Sequence, residues 1–214
     1  VLKFNNVFKT KLEPTRIRKE KYKKVNFREF KMPQPKDYYK NLELYAIPRE
    51  KIQTNLKLNA NENTLGCSPK VIEALRNVSF EDISRYPAYG NIERKLAQFN
   101  SVLEDHIMIS NGGDASVKAL FITYVGENDE VIIASPSYTM YKLNTELVNA
   151  KLVRVPYEAK WQYPTDQVIK NINEKTKMIV ICSPNNPTGD VIEQEDLIKI
   201  LKAAPKTSIL LDET

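Results

Sequence analysis

With 214 residues, 42% of them hydrophobic and 28% charged, the chain has a soluble globular composition and enough length to bury a substantial core. No apolar run approaches the roughly 20 residues of a membrane span, and the first residues lack the apolar centre of a signal peptide, so a cytoplasmic enzyme is the default expectation. Only Cys67, Cys182 and His106 are available as soft ligands, without metal-type spacing, so the cysteines are read as free thiols and no metal is expected.

The net charge of +5 is unevenly distributed. Residues 1 to 57 hold 16 Lys/Arg against 6 Asp/Glu, a net +10, whereas residues 58 to 214 hold 16 against 21, a net −5. The densest cluster, Arg16 to Lys24, has the charge of a polyanion-binding module, which is the reading of another class that this chain offers. Such a run is more often a solvated segment, and it lacks regularly interleaved aromatics, so nucleic acid is not the expected partner. Residues 1 to 40 are read as a basic leader or the end of an upstream domain, with Met32-Pro33-Gln34-Pro35-Lys36 as a break.

After this break the chain becomes patterned. A short extended run over Leu56 to Leu58 precedes a polar turn and a helix that starts at Ser68 with Pro69 in its first position. Helical pattern follows over 92–100, then strand 107–110, helix 115–124, strand 130–134 and helix 138–149. The alternation continues with strand 151–155, helix 165–172, strand 178–182, helix 194–203 and strand 208–211. Alternating strands and helices predict an α/β fold, a mostly parallel sheet covered by helices on both faces.

Four strand ends carry chemically suggestive residues. Ser110-Asn111-Gly112-Gly113-Asp114 places two glycines where a strand pattern gives way to a helix, which favours an anion at the helix start, although Asp114 also reads as a helix cap. Ser135-Pro136-Ser137-Tyr138 puts an aromatic ring at a sheet mouth, where it can stack on a flat heteroaromatic ring; Tyr141 reads as helix-face packing. Ser183-Pro184-Asn185-Asn186-Pro187-Thr188-Gly189 is a loop that two prolines can stiffen around an Asn amide. Asp212 closes the run Thr207 to Leu211, and a carboxylate there is costly to bury unless it meets a cation.

The heptapeptide 183–189 resembles the corresponding loop of fold-type-I pyridoxal-phosphate aminotransferases, most closely in the histidinol-phosphate aminotransferase group. Leu58-Asn59-Ala60-Asn61-Glu62-Asn63-Thr64-Leu65-Gly66 and Arg85-Tyr86-Pro87 are similar to two further elements of that group. The resemblance implies a large cofactor domain over residues 85–214 and a contribution to a small domain from residues 41–84. It implies that pyridoxal 5'-phosphate is held through its phosphate by Gly112, Gly113 and Asp114, on its ring face by Tyr138, at its phenolate oxygen by Asn186 and at its pyridine nitrogen by Asp212. Tyr86 is implied to reach the phosphate of a neighbouring subunit, so a homodimer is expected, and Asn59, Asn61 and Glu62 fall on the substrate side. Ala88 and Ala115 depart from the group's usual residues.

The activity implied is transfer of an amino group between a small-molecule amino donor, histidinol phosphate, and the 2-oxo acid 2-oxoglutarate, a step of histidine biosynthesis. An aromatic-amino-acid aminotransferase or an amino-acid-phosphate decarboxylase of the same fold is the alternative. The family's covalent lysine is expected beyond Thr214, so no catalytic residue is assigned within these residues. The 214 residues by themselves are expected to show no transaminase turnover in a coupled assay.

Overall fold

The computed structural model describes residues 36–42 and 60–214. They fall in two compact units, one holding residues 36–42 with 112–214 and the other holding 60–111. The basic cluster Arg16 to Lys24, the extended run Leu56 to Leu58 and Asn59 lie outside the described residues.

The unit of residues 60–111 carries helices α1 (Pro69–Arg76), α2 (Phe80–Ser84) and α3 (Gly90–Asn100) and a 3-10 turn, Glu104–His106. Helix α1 starts as its sequence predicts: the Ser68 side chain accepts from the Lys70 amide, and Pro69 needs no amide partner there. Helix α2 was not evident from hydrophobic periodicity. It is set by a reciprocal cap, in which Ser79 Oγ accepts from the Asp82 amide at 3.1 Å and Asp82 Oδ2 accepts from the Ser79 amide at 2.9 Å. The strand expected over 107–110 does not form: this segment joins no ladder among the described residues. Its β-branched residues favour an extended backbone, but a strand also needs a neighbour, which no local preference supplies.

The other unit is an α/β sheet. Helix α4 (Gly113–Tyr124) leads to β1 (Glu130–Ser135), followed by α5 (Thr139–Leu147), β2 (Lys151–Pro156), α6 (Thr165–Asn171), β3 (Thr176–Cys182), α7 (Gln194–Ala203) and β4 (Ser208–Asp212). The four strands are all parallel, in the order β2-β1-β3-β4. The central strands β1 and β3 are apolar runs because both their faces are covered. Val131 and Ile133 of β1 and Met178 and Val180 of β3 pack with Val117 and Phe121 of α4 and Tyr141 of α5. On the opposite face, Ile132 and Ala134 with Ile179 and Ile181 meet Val168 of α6 and Ile200 of α7. Each such fully buried aliphatic side chain contributes about 1.5–3 kcal/mol of transfer free energy. The edge strand β2 instead exposes Lys151 and Arg154.

The parallel arrangement directs every strand's carboxyl end to one edge of the sheet. There the chain departs from β1 toward β2 and from β3 toward β4, on opposite sides and through helices on opposite faces. Such a divergence between adjacent strands opens a crevice in which ligands of open α/β sheets bind.

At the amino edge the demands are structural. Buried Glu130 at the start of β1 accepts from Lys151 Nζ of β2 and from Asn173 Nδ2, both at 2.7 Å. The hydrogen bonds from Lys151 and then Asn173 hold the Glu130 carboxyl below its ordinary value, against the opposing effect of burial. A lowered native pKa stabilises the fold above the unfolded-state value of about 4.3, and the stabilisation is lost as pH falls through the native value. In urea titrations, Glu130→Gln is therefore expected to be less stable than the wild type at pH 7, with the difference closing as the pH is taken below about 4.

Candidate functional site

The carboxyl edge of this sheet gathers Gly112, Gly113, Asp114, Tyr138, Asn186 and Asp212 in one unit, each at a strand end, at a helix start or in the loop that follows a strand. Gly112 adopts φ +83°, a left-handed conformation that glycine takes without the steric cost of a Cβ, and it turns the chain into α4. A Cβ at Gly113 would lie 3.4 Å from Thr214 Oγ1, so the helix start closely approaches the segment just after β4. The amides of Ala115 and Ser116 close back on the Gly112 carbonyl, whereas the first amides of a twelve-residue helix point outward with the positive end of its dipole. This is an anion-binding geometry made by backbone.

Asp114 makes no cap. Its carboxylate turns to Tyr138, whose hydroxyl donates to Oδ1 at 3.1 Å. The half-buried Tyr138 ring is also packed edge-on against Tyr141, with centroids 5.7 Å apart and planes at 86°. Two contacts thus fix an aromatic ring at the end of β1.

Between β1 and β3 the organising residue is Asn185. Its side chain is buried and satisfied on every side: Oδ1 accepts from Ser137 Oγ at 2.8 Å, and Nδ2 donates to the Pro136 carbonyl at 3.1 Å and to Thr188 Oγ1 at 2.8 Å. Its backbone also bridges Asp190 and Gly189, both at 2.7 Å. The loops after the two central strands are therefore tied together by one amide. The next residue, Asn186, is half-buried, and its side chain makes no hydrogen bond among the described residues, so its amide is available to a ligand.

Asp212, the last residue of β4, is paired in register with Cys182 of β3. Its Oδ2 accepts from the Tyr141 hydroxyl at 2.6 Å, and its Oδ1 accepts from the Thr214 amide at 3.0 Å and from Thr214 Oγ1 at 2.5 Å. Burial opposes the charge, but the donors from Thr214 and Tyr141 outweigh it and hold the carboxyl below its usual range. No lysine or arginine pairs with Asp212 among the described residues. The edge therefore offers an anion cradle, an aromatic face, an available amide and an ionised carboxylate without a cationic partner.

A family model described as aminotransferase class I and II matches residues 53–214. The chain belongs to this aminotransferase family. Its relatives include the histidinol-phosphate aminotransferase of Methanosphaera stadtmanae, 36% identical over 175 residues that cover 80% of this chain and 46% of that protein. The enzyme of the same name from Methanocaldococcus jannaschii is 36% identical over 162 residues, covering 73% of this chain and 42% of that protein. The chain thus spans less than half the length of these curated relatives. Among solved structures, histidinol-phosphate aminotransferase from Sinorhizobium meliloti in complex with pyridoxal-5'-phosphate superposes with a TM-score of 0.66 at 22% identity, over 72% of this chain and 42% of that one. At that identity the likeness establishes the fold, which is the fold-type-I aminotransferase fold.

Other expected site residues of this aminotransferase chain belong to the unit of residues 60–111. Asn61 has φ +49° and Glu62 is exposed, in the turn before α1, and Tyr86 is fully exposed between α2 and α3. Two residues of the carboxyl edge were not legible as such. Asn185 differs from Asn186 by one position in a loop, and only tertiary contacts decide which amide turns inward. Tyr141 carries a weak signal: it lies one helical turn beyond Tyr138, on the same side of α5.

Removing the buried amide of Asn185 leaves Ser137, Thr188 and the Pro136 carbonyl without their partner. Asn185→Ala is expected to cost about 1–3 kcal/mol in chemical denaturation and to speed amide exchange in residues 135–138 and 183–190 together. Asn186→Ala, which breaks no side-chain hydrogen bond among the described residues, is expected to stay within about 0.5 kcal/mol.

Proposed function

We propose that this chain forms the greater part of a pyridoxal 5'-phosphate cradle in an aminotransferase that exchanges an amino group between histidinol phosphate and 2-oxoglutarate. The observation that carries the reading is the ionised Asp212 carboxylate, partly buried at a strand's carboxyl end and, among the described residues, without a basic side chain to pair with. A half-buried carboxylate of that kind suits a bound cation, and a protonated pyridine nitrogen is one. The donor set fits the rest of the group: outward amides at the start of α4 for the phosphate, the fixed Tyr138 ring for the heteroaromatic face, and the Asn186 amide, unbonded among the described residues, for the phenolate oxygen.

Bound in this cradle, pyridoxal 5'-phosphate would supply an electron-accepting ring that stabilises the carbanion left when the substrate Cα loses its proton. The chain's own residues would make that ring effective. Asp212 would keep the pyridine nitrogen protonated, Asn186 Nδ2 would donate to the phenolate oxygen, and Gly112 and Gly113 would let the backbone come close to the phosphate. Asn185 keeps the loops bearing Tyr138 and Asn186 at one separation, which limits the reorganisation needed when charge develops.

The donor and acceptor are proposed from the histidinol-phosphate aminotransferases among the relatives. Asn61 and Glu62, with Asn59, are assigned to the substrate side. The Tyr86 hydroxyl is assigned as donor to the cofactor phosphate of a second subunit, which makes the working protein a homodimer. A fully exposed tyrosine in a turn has a hydroxyl free to serve another chain.

The test is an absorbance titration of the full-length polypeptide with pyridoxal 5'-phosphate. Histidinol phosphate is expected to convert bound cofactor to its amine form, and 2-oxoglutarate to restore it. Asp212→Ala is expected to lower cofactor affinity at least tenfold while leaving the far-ultraviolet spectrum unchanged. Binding without response to histidinol phosphate would move the substrate to another amino donor, and absence of binding would remove the cofactor assignment itself.

A further inference from the structure

Tyr141 is fully buried in the layer between the sheet and helices α4 and α5, packed with Phe121, Val131, Ile133 and Met178. A phenylalanine would fill such an apolar environment without the cost of burying a hydroxyl. The hydroxyl instead reaches the sheet's carboxyl edge and donates to Asp212 Oδ2 at 2.6 Å, a short charge-assisted bond. Burial first, and then the Asp212 hydrogen bond, raise its pKa, so it remains a donor across the working pH range. The two donors to Asp212 differ in support: Thr214 is exposed and two residues along the same chain, whereas Tyr141 is anchored by the packing of another element.

We propose that Tyr141 is a positioning residue of the cofactor site, its buried hydroxyl fixing one oxygen of Asp212 so that the carboxylate meets the pyridine nitrogen in a single orientation. The inference rests on the reading of Asp212 as the ring-nitrogen partner. It assigns to Tyr141 no contact with cofactor or substrate. The residue acts through Asp212, and its effect must depend on the ring carrying a nitrogen.

That dependence supplies the test. Two probes are titrated calorimetrically into cofactor-free full-length protein: pyridoxamine 5'-phosphate, and the analogue with a C–H group in place of the ring nitrogen. The wild type is expected to favour the nitrogen-containing probe. Tyr141→Phe is expected to lose roughly tenfold in affinity for that probe and less than twofold for the analogue, and to add nothing further in an Asp212→Asn background. Tyr141→Met, also apolar and without the hydroxyl, gives a second reading of the same ratio should the phenylalanine variant fold poorly. Equal losses on both probes, or no loss on either, would leave Tyr141 a packing residue and overturn the proposal while the cofactor reading stands. Failure of the wild type to bind either probe would overturn both, and indifference of the wild type to the ring nitrogen would overturn the proposal together with the reading of Asp212 as the nitrogen's partner.

Discussion

The parallel ladder is the constraint on which the unit of residues 112–214 depends. Because β1, β3 and β4 run the same way in adjacent register, the residues that follow them emerge at one edge, and three loops distant in sequence become neighbours. Parallel pairing is also why the connections must cross the sheet as helices, and why both faces of the two central strands are buried. The apolar layers that cover Val131 to Ala134 and Met178 to Ile181 therefore stabilise the fold and keep the carboxyl edge in register.

The two edges of the sheet use their carboxylates differently. At the amino edge Glu130 is closed off by Lys151 and Asn173, a carboxylate whose charge is met within the chain. At the carboxyl edge the donors to Asp212 among the described residues are neutral, and they keep it ionised without neutralising it. A protein interior tolerates that arrangement where the charge retains access to a partner outside the chain. The contrast between two carboxylates of one sheet sets its two edges apart electrostatically.

Asn185 and Tyr141 show how this edge is held. Neither is an outward-facing group, and both spend their polar atoms on other residues of the edge: Asn185 joins the loops after β1 and β3, and Tyr141 joins α5 to the end of β4. Rotamers locked by packing and by satisfied hydrogen bonds let neighbouring groups such as Tyr138, Asn186 and Asp212 keep one geometry. The exposed side chains of Asn61, Glu62 and Tyr86 lie in the other compact unit, where the described residues bury little beyond Ala97.

Much of the α/β pattern was readable in the chain because it is local. The apolar runs at β1 and β3, the helical spacing of α4 to α7 and the Ser68-Pro69 start of α1 each follow from side-chain period or capping chemistry within a few residues. The loops at strand ends were readable for the same reason, since glycine, proline and asparagine act on their own backbone. Pairing was not readable. Residues 107–110 have strand character and join no ladder among the described residues, and the order β2-β1-β3-β4 is decided by burial on two faces at once. Sequence by itself determined which residues could serve an anion, a ring or a cation. Tertiary structure alone decided that Asn185 turns inward while Asn186 stays available, and that Tyr141 ends on Asp212, because each depends on a hydrogen bond to a residue dozens of positions away.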